Sequence, residues 1–173
     1  MLFVLFQLGS DRYVLPARDV VEVLPLISVR TLLGAPTGVA GLVDYRGNTV
    51  PVIDLAVLAF GRPAARRVST RLLLVKYAHP RGGERLIGVI AERATETITK
   101  EPGDFLPTGV ASHITRYLGP VARDPAGLIQ RVDVHALLTD ALRATLFPEV
   151  PGEAQPSSRH PKRPERPVTP AVS

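Results

Sequence analysis

Four histidines, His79, His113, His135 and His160, are the side chains of this sequence best suited to proton transfer near neutral pH. None stands three or four residues from another, and no HExxH occurs, so no pair is spaced to hold a metal from one helical face. His79 precedes Pro80 in a turn signal, His135 stands near the start of an apolar helical pattern, and His160 lies in a proline-dense tail. Only His113, in GVASHITRY, has surroundings fit for the base of a hydrolase. A lone loop histidine is more often solvated or structural than catalytic. Asp44 and Asp54 lie ten residues apart within one expected hairpin. Asp54 reads more simply as the cap of the helix that follows. Gly34, Gly38 and Gly41 match neither a phosphate-binding GxxxxGK loop nor GxGxxG, and read as turn glycines. There is no cysteine, which excludes a thiol nucleophile, thiolate metal sites and disulfides. The residue types point away from catalysis, metal and cofactor.

What remains is GLVDYRGNTVPVIDL, Gly41 to Leu55: two apolar runs about a polar bend. With Gly47-Asn48 as a two-residue turn, Arg46 faces Thr49, Asp44 faces Pro51, Val43 faces Val52 and Leu42 faces Ile53. Alternation puts Val43, Tyr45, Val50 and Val52 on a core face. Leu42, Asp44, Arg46, Thr49, Pro51 and Ile53 share the other, polar near its bend. That mixed face could receive a partner, with Arg46 near its tip. The plainer reading is that Arg46 covers apolar surface and pairs with Asp44. Pro51 donates no backbone hydrogen bond, which marks an edge strand there.

The elements around this hairpin are short. LFVLFQL, RYVLP, VAGLVDY, TVPVIDL, RLLLVKYA, RLIGVIAE, ATETITK, ITRYLGPVAR and AGLIQRVDV are separated by Gly, Pro, Asn or Asp, as in small sandwiches and barrels. RDVVEVLPLI reads as one helical turn leading into a strand, and Gly82-Gly83 as a hairpin bend. Asp54 can cap LAVLAFG, which Gly61 and Pro63 stop. Asp133 can cap a single helix over VHALLTDALRATLF, with Val134, Leu137, Leu138, Ala141, Leu142 and Leu146 on one face. Hydrophobic residues make up 45% of the 173 but aromatics only 5%, so the core is expected to be Val, Leu and Ile. From Pro148 on, PEVPGEAQPSSRHPKRPERPVTPAVS has no apolar period and reads as disordered. Residues 1–147 form the expected domain and 148–173 the tail. No apolar run reaches the length of a membrane span, and the opening MLFVLFQLGSDRY lacks a basic n-region, so the expected location is cytoplasmic. The net charge of +5 and a pI near 10.1 raise nucleic acid as a partner of a small barrel. However, the densest basic cluster, Arg62, Arg66, Arg67 and Arg71, has no interleaved aromatic.

The ordered motifs resemble those of the CheW family of chemosensory coupling proteins, from about Phe3 to Leu146. FQLG, RYVLP and VVEV stand for its opening strands, and IGVIAE and LIQRVDVHALL for its late ones. GLVDYRGNTVPVIDL fills every fixed position of its most specific segment. The resemblance implies a mainly β protein of two small five-stranded SH3-like barrels packed together, with a short helix after PVIDL and another near the end. It implies no enzymatic activity and no cofactor. It implies an adaptor linking chemoreceptors to a sensor histidine kinase. One partner would be the kinase's regulatory domain (CheA-like). The other would be the receptor's helical-hairpin tip, held in an apolar groove, so that the membrane is met only through receptors. Arg46 then matches the arginine associated with receptor coupling and Glu22 its acidic partner, while Val20, Gly41, Asp44 and Gly47 complete the expected partner-binding set. Asp44-Tyr45 replaces a common Asn-Leu, which makes Asp44 a second possible acid for Arg46, and Ala91-Glu92 replaces Val-Asp. These departures are compatible with a non-flagellar chemosensory pathway controlling surface attachment.

Overall fold

The computed structural model describes residues 1–80, 82–108 and 116–148. His113, His160 and the tail beyond Pro148 lie outside the described residues. Among the described residues nine strands are formed: β1 (Leu2–Leu8), β2 (Asp11–Pro16), β3 (Val20–Pro25), β4 (Val39–Tyr45), β5 (Asn48–Asp54), β6 (Arg71–Ala78), β7 (Glu84–Thr99), β8 (Leu118–Asp124) and β9 (Gly127–Val132). Two short α-helices, α1 (Leu55–Phe60) and α2 (Asp140–Leu146), accompany them.

Pairing divides the strands into two sets of five that share β7. In the first, β3 pairs β6, β6 pairs the start of β7, and β5 lies between β7 and β4. In the second, the end of β7 pairs β1, followed by β2, β9 and β8. A bridge between Arg30 and Leu42 draws the chain after β3 onto the free edge of β4, and one between Leu106 and Val121 does the same for β8. RLIGVIAE and ATETITK, expected as two strands, are one strand of 16 residues. Between the pairs Gln7–Glu92 and Leu5–Glu96, β7 advances four residues while β1 advances two. Arg93, at φ 49°, takes up the excess, and β7 passes there from one set to the other.

The period of two is visible in the packing. Leu72 and Leu74 of β6 enter a core inside the first set with Val43, Val50 and Val52. Leu73, Val75 and Tyr77, one residue out of step, enter a larger core between the sets with Val4, Phe6, Leu8 and Val89. Phe3 and Leu5 of β1 fill a third core with Val14, Phe105 and Ile129. The aromatics are few, yet Tyr77, Phe3 and Phe6 are among the largest fully buried side chains.

The Asp54 cap is present and does more than expected. Its Oδ1 accepts from Ala56 N at 2.9 Å and Val57 N at 3.4 Å, while Oδ2 accepts from Ala64 N at 2.9 Å, beyond the helix. Gly61 ends α1 at φ 68°. The expected last helix is instead two pieces. Asp133 caps a single 3-10 turn, Val134–Ala136, and Thr139 caps α2 separately, its hydroxyl accepting from Leu142 N. The break lets Val134, Leu137, Leu138 and Leu142 all reach the shared core, whereas Ala141 is exposed. Pro51 does not mark an edge strand, because Val52 to Asp54 pair with Gly88 to Ile90. The Leu42 N–H and C=O face Arg30, so the opposed Pro51 nitrogen points away from β4, one residue before pairing with β7 begins.

Asp54 is buried, and its carboxylate satisfies three backbone donors in two segments. Asp54→Ala is expected to cost about 2–4 kcal/mol in denaturant unfolding, and Asp54→Asn, which keeps an acceptor oxygen, clearly less.

Candidate functional site

The β4–β5 turn differs by one residue from the expected one. Tyr45 pairs Asn48, Asp44 pairs Thr49 and Val43 pairs Val50, so the bend residues are Arg46 and Gly47. Arg46 has φ 53° and Gly47 φ 80°, the positive values that a tight two-residue hairpin turn needs at both central positions. Asp44 Oδ1 accepts from Gly47 N at 2.8 Å and fastens the bend. Arg46 therefore stands at the tip of the ribbon, on neither face of it.

Edge strand β3 supplies the acid. Its residues alternate between half-buried Val20, Glu22 and Leu24 and exposed Val21, Val23 and Pro25. Glu22 Oε2 accepts from the Tyr45 hydroxyl at 2.5 Å and from Arg46 Nη2 at 3.2 Å. The Arg46 guanidinium carbon lies 4.9 Å from the centre of the Tyr45 ring, within reach of a cation–π contact. The Tyr45 ring itself packs against the core of the first set. A residue with an apolar body and a polar tip thus connects that core to the surface ion pair. The Arg46 side chain remains 74% exposed and that of Glu22 35%.

The hydrogen bond to Glu22 is the largest cause raising the Tyr45 pKa above the usual phenol value, with desolvation adding to it; the Arg46 charge pulls the other way. The phenol thus stays neutral, and the carboxylate accepts from it as well as from the arginine.

The structure brings Glu22, Asp44, Arg46 and Gly47 together at this tip. Glu22 is the ion-pair partner of Arg46, while Asp44 serves the turn. Gly41 sits apart, buried further down β4. A Cβ there would lie 2.1 Å from the Arg30 carbonyl oxygen, and φ is 143°, so this glycine lets the chain after β3 close on β4. Val20 pairs Val75 across from β6, beyond an irregularity that separates it from Glu22, and packs on the shared core. Tyr45 is the member that sequence reasoning left out. Its signal was a hydroxyl on an otherwise apolar strand face.

Among the described residues no group of three or more His, Cys, Asp or Glu side chains is placed to hold a metal ion. No helix among them is long and apolar enough to cross a membrane. His135 is exposed, its Nδ1 accepting from Ala78 N at 3.3 Å.

A profile of the CheW-like domain matches residues 2–142. The chain belongs to the CheW-like domain family. The chemotaxis protein CheW of Helicobacter pylori is 29% identical over 106 residues, covering 61% of this chain and 61% of that protein. The match thus spans less than two thirds of that relative. The chemotaxis protein CheW of Klebsiella aerogenes is 23% identical over 139 residues, 79% of this chain and 81% of the relative. The crystal structure of the scaffolding protein TtCheW from Thermoanaerobacter tengcongensis superposes with a TM-score of 0.69 at 23% identity. It covers 80% of this chain and 88% of that one. The mainly β architecture of this CheW-like domain is that of the solved neighbour.

Two measurements probe the site. Because a raised phenol pKa is a contribution present below the ordinary phenol value and lost as pH rises through the raised one, the stability contributed by the Tyr45–Glu22 hydrogen bond should be lost in strong alkali. Tyr45 should titrate above an unperturbed tyrosine by NMR, and Glu22→Gln should bring it down. Gly41→Ala should destabilise the domain by about 2 kcal/mol or more in denaturant unfolding, because the obstacle is backbone rather than a movable side chain.

Proposed function

We propose that this CheW-like protein is a non-catalytic adaptor that couples chemoreceptors to a sensor histidine kinase at receptor arrays in the cytoplasm. The observation that carries the reading is a fixed, exposed cation with nothing to react with. Arg46 is held at a hairpin tip by the Tyr45 ring and the Glu22 carboxylate, yet most of it faces solvent. Glu22 is flanked along the edge strand by exposed Val21 and Val23. An apolar strand margin beside one positioned charge suits the ridge of a helical hairpin such as the receptor tip. The charge sets register and partner choice more than affinity. Val20 and Gly41 act through the placing of β3 and β4, and Asp44 and Gly47 through the bend. The kinase regulatory domain takes a different surface. Phe147, the last residue of the proposed adaptor domain, stacks its ring on Tyr77 at 6.0 Å between centroids.

Substitution separates the two partners. An exposed pair contributes only about 0–1 kcal/mol to folding, so Arg46→Ala should leave the melting temperature nearly unchanged. Binding to a receptor signalling tip, measured by calorimetry, should weaken markedly, and more so with Arg46→Glu, which sets a carboxylate against Glu22. Binding to the purified kinase regulatory domain should survive both. Equal loss of both partners, or unfolding of the alanine variant, would overturn the reading.

A further inference from the structure

The Arg62, Arg66, Arg67 and Arg71 cluster has no part in the site at the β4–β5 tip. It lies on the segment between α1 and β6, with Arg71 the first residue of β6, and this segment returns to Asp54 through Ala64 N. Asp54 ends β5 and Asn48 begins it, so the segment leaves from the end of that strand remote from Arg46. Six steps of about 3.3 Å along its seven residues put those two ends about 20 Å apart.

The segment is irregular but tightly fastened. Ala64 N donates to Asp54 Oδ2 and Ala65 N to Glu92 Oε1, each at 2.9 Å. The Thr70 hydroxyl donates to Ala65 O at 2.6 Å, and Ala94 N to Ser69 O at 3.1 Å. Arg71 turns inward, its guanidinium donating to Val68 O, and Arg62 lies 5.4 Å over the Phe60 ring and 4.0 Å from Glu92. Two of the four arginines are thereby used by the protein itself. Arg66 and Arg67 are exposed, and no carboxylate among the described residues pairs with them. Both nearby acids, Asp54 and Glu92, are occupied with backbone N–H groups. Between Arg67 and Ser69, Val68 is 91% exposed.

We propose that Arg66, Arg67 and Val68 form a preorganised docking point for an acidic segment of a partner protein, one that carries an apolar side chain among its carboxylates. Fastening the loop beforehand lowers the ordering cost of binding, and two unpaired guanidiniums offer forked donors to carboxylates. A nucleic acid fits less well. The one aromatic at the patch, Phe60, already carries the Arg62 guanidinium over its ring, and two free cations are few for a polyanion. A lipid surface fits less well too, because Val68 and a Phe60 ring partly covered by Arg62 offer little apolar area to insert.

The test uses the full-length protein at physiological ionic strength. Fluorescence anisotropy is measured with a labelled peptide alternating glutamate and leucine and with a labelled single-stranded DNA of equal length. Co-sedimentation is measured with vesicles containing anionic phospholipid. The peptide should bind best. Arg66→Glu combined with Arg67→Glu should weaken it by about tenfold or more, and Val68→Ser by roughly threefold, with circular dichroism unchanged. Arg46→Ala should leave peptide binding as it was, which keeps this surface distinct from the receptor-coupling reading. Absence of peptide binding, binding indifferent to the double reversal, or equal or tighter binding of the DNA or the vesicles would each overturn the proposal.

Discussion

One strand has to satisfy two sheets. β7 gives its first half to β6 and β5 and its second half to β1, so neither five-strand set is complete without it. Buried backbone donors and acceptors must be paired, and a strand serving two directions must turn without leaving its polar groups exposed to the core. The turn is made at Arg93, in the left-handed region, with Ala94 N donating to Ser69 O where a ladder partner is missing. Because β7 is shared, the two sets cannot drift apart, and the face between them becomes the largest buried apolar cluster. β6 and β1 are consequently buried on both faces, which is why RLLLVKYA and LFVLFQL read as continuous apolar runs rather than alternating ones.

Carboxylates do the fine positioning, each in a different way. Asp54 is buried and neutralises nothing; it collects backbone N–H groups from a helix start and from a returning loop, tying the two together. Glu92 holds the same loop from β7 through Ala65 N. Glu22 works at the rim, where its Oε2 joins edge strand β3 to the tip of the neighbouring hairpin through Tyr45 and Arg46. At the other end of that gap the closure is made by backbone, through the Arg30–Leu42 bridge that Gly41 permits. The first set is therefore closed by main chain at Arg30 and Leu42 and by side chains at Glu22, Tyr45 and Arg46. That division leaves the side-chain end the more adjustable of the two.

A side chain's neighbours decide whether it is available to a partner, and the arginines illustrate this. Arg71 is spent on loop carbonyls and Arg62 on Phe60 and Glu92. Arg46 is half engaged, held in place but mostly in solvent. Arg66 and Arg67 are not engaged by any described acid. Four arginines that look equivalent in RPAARRVSTR therefore differ in what they can do. Only the path of the loop makes the difference.

Local chemistry was legible in the sequence. Alternation placed Val43, Val50 and Val52 in a core, the Asp54 cap and Gly61 stop bounded α1, and Gly82-Gly83 marked the β6–β7 bend. The ordered motifs were sufficient to point to the family. These features depend on a few adjacent residues, whose conformational preferences act before any tertiary contact forms. What depended on distant partners was not legible. The hairpin bend shifted by one residue because Asp44 can cap Gly47 and Arg46 can take a positive φ, which kept Tyr45 paired with Asn48 and its hydroxyl on Glu22. Glu22 rather than Asp44 became the partner of Arg46 because β3 and the hairpin tip, 24 residues apart in sequence, are neighbours in the fold. The last helix broke at Thr139 because four apolar residues had to reach one core from two directions. Two apparent strands became one because both sets needed the same strand, a demand that no window of sequence contains.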